Sequence, residues 1–228
     1  GGVLARRRVG AVLTAHGYHE TITFSFTDRP AAEGFVEPGT GLIDLADERR
    51  GPAQVLRPSV LPSLLSVRKT NQDAGNRAVK LFEVARAFRA DAEGTYRETK
   101  DLALLADAEE ARGLRGMRGA IEELAEAMGL GIEVRPLEGE AAPAWAATAG
   151  RIVDAEDADR DLGVIGRASD ELLKRFDLKV DVDLAWLDYE ALTAAYPPTA
   201  QVAPLPRFPA IERDLSAVVE ESVTWRRI

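Results

Sequence analysis

The sequence predicts a mixed α+β fold, and three observations carry that prediction. Segments with the two-residue period of strands are interspersed with segments of helical period. Of the 228 residues, 46% are hydrophobic, enough for a sizeable core, and the length suits one or two domains. No apolar run approaches the roughly 20 residues of a membrane helix, and no signal-peptide pattern is visible.

The elements follow in order. Leu4, Val9, Val12, Leu13 and His16 share one helical face, and Gly17 stands where a helix C-terminus favours glycine. Ile22, Phe24 and Phe26 then alternate with Thr21, Thr23 and Ser25, predicting a strand with two unlike faces. Asp28-Arg29-Pro30 reads as the cap and first turn of a short helix. Residues 41–47 predict a strand. Residues 59–72 predict a helix with Ser59 as N-cap, Pro62 in the first turn, and Leu61, Leu64, Leu65 and Arg68 on one side.

Residues 78–88 are apolar at nearly every position, as in a strand covered on both faces. A strand over 101–107 follows. Leu114, Met117, Ile121, Leu124 and Met128 mark an amphipathic helix closed by Gly129. Strands at 132–137, 150–155 and 162–167, a helix over 169–178 and a strand over 180–187 complete the first domain, residues 1–195. Five prolines between 197 and 209 make 196–214 an extended linker, after which 213–225 opens a new strand. Residues 196–228 are fewer than the roughly 40 that fold unaided. They are expected to be the linker and truncated start of a second domain, so the chain reads as a fragment cut at both ends.

The composition excludes several functions. A formal charge of −9 argues against a surface that grips nucleic acid throughout. Local contact stays open, because Arg112, Arg115 and Arg118 form one helical stripe that would reach an RNA backbone, though Glu109, Glu110, Glu122 and Glu123 dilute its field. With no cysteine, disulfides, thiolate nucleophiles and Cys-ligated zinc are all absent, in keeping with a reducing cytoplasm. His16, His19 and Glu20 crowd together, but helical metal ligands need one face and regular backbone between them. Gly17 ends the helix between the histidines, and a strand would send His19 and Glu20 to opposite faces, so no metal site is expected. The glycines of Gly163-Val-Ile-Gly166 supply half a phosphate cradle without a lysine and read as a turn or close strand packing. Ser25 and Ser59 have no histidine placed as a base, and adjacent acids such as Glu122-Glu123 read as solubilising charge.

Four segments, in order, carry a family resemblance. GYHETITFSF (17–26) resembles the G-Y-x-E-x-x-T-x-S-F signature of bacterial-type phenylalanyl-tRNA synthetase beta subunits. VLRPSVLPSLLSVRKTNQDAGNRAVKLFEVARAF (55–88) resembles that subunit's L-R-x-S-L-L-P-G-L-L segment, its N-x-x-R and its L-F-E-I-G-R-V-F strand. LGVIGRASDELLKRFDL (162–178) is similar to its G-x-I-G-x-x-H-P segment ending in F-D-L. PLPRFPAIERDLSAVV (204–219) is similar to the entry into its anticodon-binding domain. Ala85 and Ser63 stand where the family favours glycine, Asp47-Glu48 replaces Asn-Pro, and Ser169-Asp170 replaces His-Pro.

The resemblance implies a class II aminoacyl-tRNA synthetase-like antiparallel sheet with flanking helices, followed by the start of a ferredoxin-like domain. It implies that residues 4–26 pack against the catalytic alpha subunit, with Val12, Leu13, His16, Tyr18, Ile22, Phe24 and Phe26 at the interface; the alternative is that this surface is the domain's own core. Class II catalysts place an arginine two residues before a strand glutamate to meet charge developing on the α-phosphate. Leu81 occupies that place here, and Glu83 is expected to pair with Arg86 or Lys80. No catalytic residue is therefore expected in this segment. The complete ligase would be a tetramer of two alpha and two beta subunits. It would use ATP, Mg²⁺, phenylalanine and tRNA(Phe), with the chemistry on alpha. The editing domain and metal-ligating acids of the beta subunit would lie upstream. The rival readings are an independent adenylate-forming enzyme, opposed by Leu81, and a stand-alone RNA-binding module, opposed by the net charge.

Overall fold

The computed structural model describes residues 2–45, 54–109, 113–199, 213–221 and 223. The chain divides into two compact units, residues 1–198 and 199–228. In the first, helices α1 (Gly2–Ala15), α2 (Arg29–Glu33), α3 (Leu61–Asp73), α4 (Leu114–Met128), α5 (Asp170–Arg175) and α6 (Tyr189–Thr193) surround two sheets. The strands are β1 (His19–Glu20), β2 (Phe26–Thr27), β3 (Thr40–Gly41), β4 (Ile43–Asp44), β5 (Val55–Leu56), β6 (Lys80–Asp91), β7 (Tyr96–Asp107), β8 (Ile132–Leu137), β9 (Ala146–Asp154), β10 (Asp161–Ala168) and β11 (Val182–Asp188).

The large sheet runs β1-β6-β7-β11-β10-β9-β8, with β3 also paired to β6; β2-β5-β4 form a small second sheet. Every pairing is antiparallel except β1 with β6. Both faces of the large sheet are covered, which accounts for the near-continuous apolar run in β6. Phe82 and Val84 of β6 join Leu102 and Leu104 of β7 under α1 and α4. Leu81 of β6 joins Ala103 and Leu105 of β7 under α3 and α5. Alternate residues thus feed two separate cores, as the pleat requires.

Several helix ends follow the sequence signals. Gly17 after α1 and Gly129 after α4 take positive φ, +82° and +86°, and the Gly129 N–H returns to the Ala125 carbonyl. Ser169 caps α5 by accepting from the Leu172 N–H. At α3 the cap position is Val60 rather than Ser59, although the Ser59 hydroxyl still accepts the Leu61 N–H at 3.2 Å. Helix α5 stops at Arg175, short of residue 178, because Asp177 turns to φ +49°.

Other differences have physical causes. Residues 22–26 are not one strand: only Phe26 continues into β2, since the backbone leaves β6 after Thr21 donates to the Phe82 carbonyl. The strand expected at 41–47 breaks into β3 and β4, which join different sheets, and 46–47 lie outside the described residues. Strands β6 and β7 extend into a polar hairpin whose turn is held by Asp91 Oδ1, which accepts the Glu93 and Thr95 N–H groups. Helix α6 had no apolar period to announce it and is capped by Asp188. In the second unit, most of the expected linker lies outside the described residues. Residues 213–220 form no strand, since a strand persists only when its backbone finds a neighbour to pair with.

Candidate functional site

The sequence's best-supported cluster, residues 16–26, lies along the β1 edge of the large sheet. Its alternation of threonines with apolar residues survives without strand pairing, and its polar side faces inward. Glu83, 2% exposed, accepts the Thr23 N–H at 3.2 Å, the Thr23 hydroxyl at 2.7 Å and the Thr21 hydroxyl at 3.3 Å. Opposite lies Arg57, 1% exposed, whose Nη1 is 3.3 Å from Glu83 Oε1 and donates to Thr23 Oγ1 at 2.7 Å and Ser63 Oγ at 3.2 Å. Its Nε donates to the Arg86 carbonyl at 2.9 Å. The Arg57 backbone is fixed as well, its N–H on the Ser25 carbonyl and its carbonyl accepting from Phe88. A charge pair this deep is tolerated because nearly every lone pair and proton around it finds a partner.

Glu83 therefore does not pair with Arg86 or Lys80, as expected from proximity along the strand. Arg86 alternates to the other side of the strand edge and bonds Glu98. Lys80 lies over the Tyr18 ring, 5.7 Å from its centroid, with Nζ 3.4 Å from the His16 carbonyl. The decisive arginine, Arg57, is 26 residues away in sequence. Its sequence signals were a charge set among mostly apolar neighbours in VLRPSV and its place in the L-R-x-S motif, neither of which names its partner. Leu81, two residues before Glu83, is 5% exposed and packs in the apolar cluster under α3.

With the threonines turned in, the apolar residues between them turn out. Ile22 is 91% and Phe24 75% exposed, and Phe24 stacks on half-buried Phe26 at a centroid distance of 5.1 Å. Of the other residues assigned to an interface, Val12, Leu13 and Tyr18 lie in the chain's own core. The Tyr18 hydroxyl is held well above its ordinary pKa by burial, with Asp183 adding to the effect. His16 Nε2 is 2.8 Å from Glu123 Oε2, and Glu20 bonds Arg6. Of the apolar residues named for the interface, Ile22, Phe24 and the edge of Phe26 thus remain accessible, and Leu4 of α1 is also exposed.

The remaining candidates are dispersed. Arg118 bonds Glu122 one turn along α4 at 2.7 Å, Arg115 is exposed, and Arg112 lies outside the described residues. Among the described residues no three His, Cys, Asp or Glu side chains are grouped to hold a metal. Gly163 and Gly166 serve strand packing: a Cβ would meet the Trp186 carbonyl at 2.0 Å and the Thr148 carbonyl at 2.5 Å.

Comparison with known proteins gives this arrangement its context. The sequence profile of the phenylalanyl tRNA synthetase beta chain CLM domain matches residues 3–189. The chain belongs to that family. It is 28% identical over 222 residues to the phenylalanine–tRNA ligase beta subunit of Thermotoga maritima, covering 93% of this chain and 27% of the relative. It is 31% identical to the corresponding subunit of Xylella fastidiosa, covering 95% of this chain and 28% of the relative. The chain therefore spans about a quarter of the length of these relatives. A pyrrolysyl-tRNA synthetase structure from Desulfitobacterium hafniense superposes with a TM-score of 0.66 at 15% identity, covering 83% of this chain and 64% of that one. That likeness shows a class II synthetase-like fold. Three of the four quoted motifs fall on or beside described elements: residues 17–26 at the β1 edge, 55–65 on β5 and α3 with 81–88 on β6, and 162–178 on β10 and α5; residues 204–212 of the fourth lie outside the described residues. The beta-subunit assignment made from motif order stands.

Proposed function

We propose that this chain is the catalytic-like but non-catalytic core of a phenylalanine–tRNA ligase beta subunit. Its role is to hold and orient the catalytic alpha subunit during ATP-dependent attachment of phenylalanine to tRNA(Phe). The observation that carries the reading is the fate of the strand β6 position pair. Leu81 is packed among aliphatic side chains, and Glu83 is neutralised by Arg57 from beneath. A leucine offers no cation to a phosphate, and a glutamate already bound to an arginine and two threonines is unavailable to an amine.

ATP and Mg²⁺ do not fit the residues present. The arginines at the cavity over this sheet face, Arg89 and Arg151, lie 3.2 Å from Glu37 and 3.6 Å from Asp161. With Glu37 and Asp161 beside them, these two arginines cannot offset the several negative charges of a triphosphate, and no step through the nucleotide is assigned to this chain.

In this reading Ile22, Phe24 and Phe26 dock on the alpha subunit, with His16 at the margin, and the Arg57–Glu83 pair holds the segment so that its apolar side faces outward. A contiguous exposed aromatic pair of this kind is a familiar mark of a protein-binding surface. Residues 196–228 lead into a ferredoxin-like anticodon-binding domain, and the assembly is a tetramer of two alpha and two beta subunits.

Co-expression with a matching alpha subunit and size-exclusion chromatography tests the proposal. Phe24→Asp and Ile22→Asp abolish co-elution while leaving the melting temperature within about 2 °C, because both side chains are exposed. Undiminished co-elution of the double variant refutes the docking surface.

A further inference from the structure

A cavity of about 410 Å³ opens over the sheet face that carries Trp186, on the opposite side of the sheet from α1 and α4. Its walls are mainly apolar and aromatic: Phe35, Trp145, Trp186, Pro38 and Pro143. Its size falls within the range of small-molecule sites. Arg89, 9% exposed, stands in the wall with its guanidinium 5.8 Å from the Trp186 ring centroid. The half-exposed Glu37, on the loop after α2, reaches over to it.

Three arginines differ in how they use the Nε–Nη2 edge, Arg68 and Arg89 being buried and Arg167 half-buried. Arg68 places Nε and Nη2 on the two oxygens of Asp107 at 2.6 and 3.0 Å. Arg167 does the same on Asp183 at 2.7 and 3.3 Å. Arg89 fills only half of its edge: Nη2 is 3.2 Å from Glu37 Oε1, and the buried Nε has no hydrogen-bond partner. Asp101 Oδ2, at 3.9 Å from Nη2, is too far to complete it and is itself unpartnered. A half-filled, buried guanidinium edge beside an aromatic wall is matched by a carboxylate on a flat apolar body.

We propose that this cavity binds small aromatic carboxylates by exchange: the ligand's carboxylate displaces Glu37 and takes both Nε and Nη2 of Arg89, while its ring lies against Trp186, Trp145 and Phe35. The exchange swaps one carboxylate for another, so the charge of the site is conserved, and Glu37 has solvent to move into. The site is separate from the proposed docking surface and does not depend on it.

The test uses 3-phenylpropionate as probe, with 3-phenylpropionamide as its uncharged counterpart, followed by tryptophan fluorescence and calorimetry on the intact chain. Saturable binding with a dissociation constant on the order of 1 mM is expected for so small a ligand, with the amide markedly weaker. Glu37→Gln removes the competing carboxylate from a partly exposed pair and tightens binding about 3- to 5-fold. Arg89→Met abolishes it, with melting curves confirming that the variant is folded. Because Glu37 lies at the surface, its variant keeps the test valid even if Arg89→Met does not fold. Absence of saturable binding in both wild type and Glu37→Gln overturns the proposal. So does equal affinity for acid and amide, or a Glu37→Gln variant that binds no tighter.

Discussion

Arg57→Met addresses the interaction on which the β1 edge depends. It leaves the Glu83 carboxylate buried with only threonine partners and strips the Arg86 carbonyl of its donor. Removing one member of a buried pair costs about 3–5 kcal/mol. For a unit of this size each kcal/mol is worth roughly 2–4 °C, so the melting temperature drops by about 6–20 °C. Glu83→Leu costs a similar amount, since it strands the guanidinium and the Thr23 N–H together. The double variant Arg57→Met/Glu83→Leu leaves no unpaired charge, so its loss is no greater than that of the worse single change. The pair is shielded from solvent, so the single-variant losses persist in about 1 M salt, where surface pairs are screened. Thermal melting by circular dichroism, with urea denaturation as a second probe, measures all three variants. Losses that add in the double variant, or single losses under about 3 °C, refute the coupled-pair reasoning.

Three further outcomes follow from particular residues. Gly163→Ala places a methyl 2.0 Å from the Trp186 carbonyl at a φ of +149°, and costs about 3 kcal/mol or more; low soluble yield or a lowered melting point registers it. Gly119→Ala, in α4 with nothing within 4 Å of the new carbon, instead stabilises by about 0.5–1 kcal/mol in the same assay. Asp101 has its pKa raised above the ordinary 3.8, chiefly by burial, against opposing pulls from Arg89, the Thr99 hydroxyl and the Trp186 indole. The folded state then holds this proton more tightly than the unfolded chain. The contribution of Asp101 to stability therefore rises as pH falls through its raised pKa and levels off below 3.8. In melting curves from pH 7 to 4, Asp101→Asn loses ground relative to wild type as the pH drops; a constant difference contradicts the shift.

Much of the framework was legible because it obeys one-dimensional rules. Apolar periodicity marked α1, α3 and α4, glycines at 17 and 129 marked the ends of α1 and α4, and the largely apolar run in β6 foretold a sheet covered on both faces. Motif order identified the family, since four segments keep their sequence over most of the chain. Pairing partners distant in sequence were not legible. Nothing in the order of residues says that Arg57, and not the nearby Arg86, lies beneath Glu83, because side-chain direction in a strand alternates and the small sheet folds Arg57 back over β6. Nor does the sequence say which side of residues 21–25 faces out. The alternation of Thr21 and Thr23 with Ile22 and Phe24 predicts only two unlike faces, and the buried Glu83 carboxylate, by drawing in the threonines, turns the aromatic side to solvent. The sequence alone determined most of the longer elements, their periodicity and the family. The tertiary structure decided which charges meet and which apolar face is left uncovered, because both are set by contacts between segments that the sequence keeps apart.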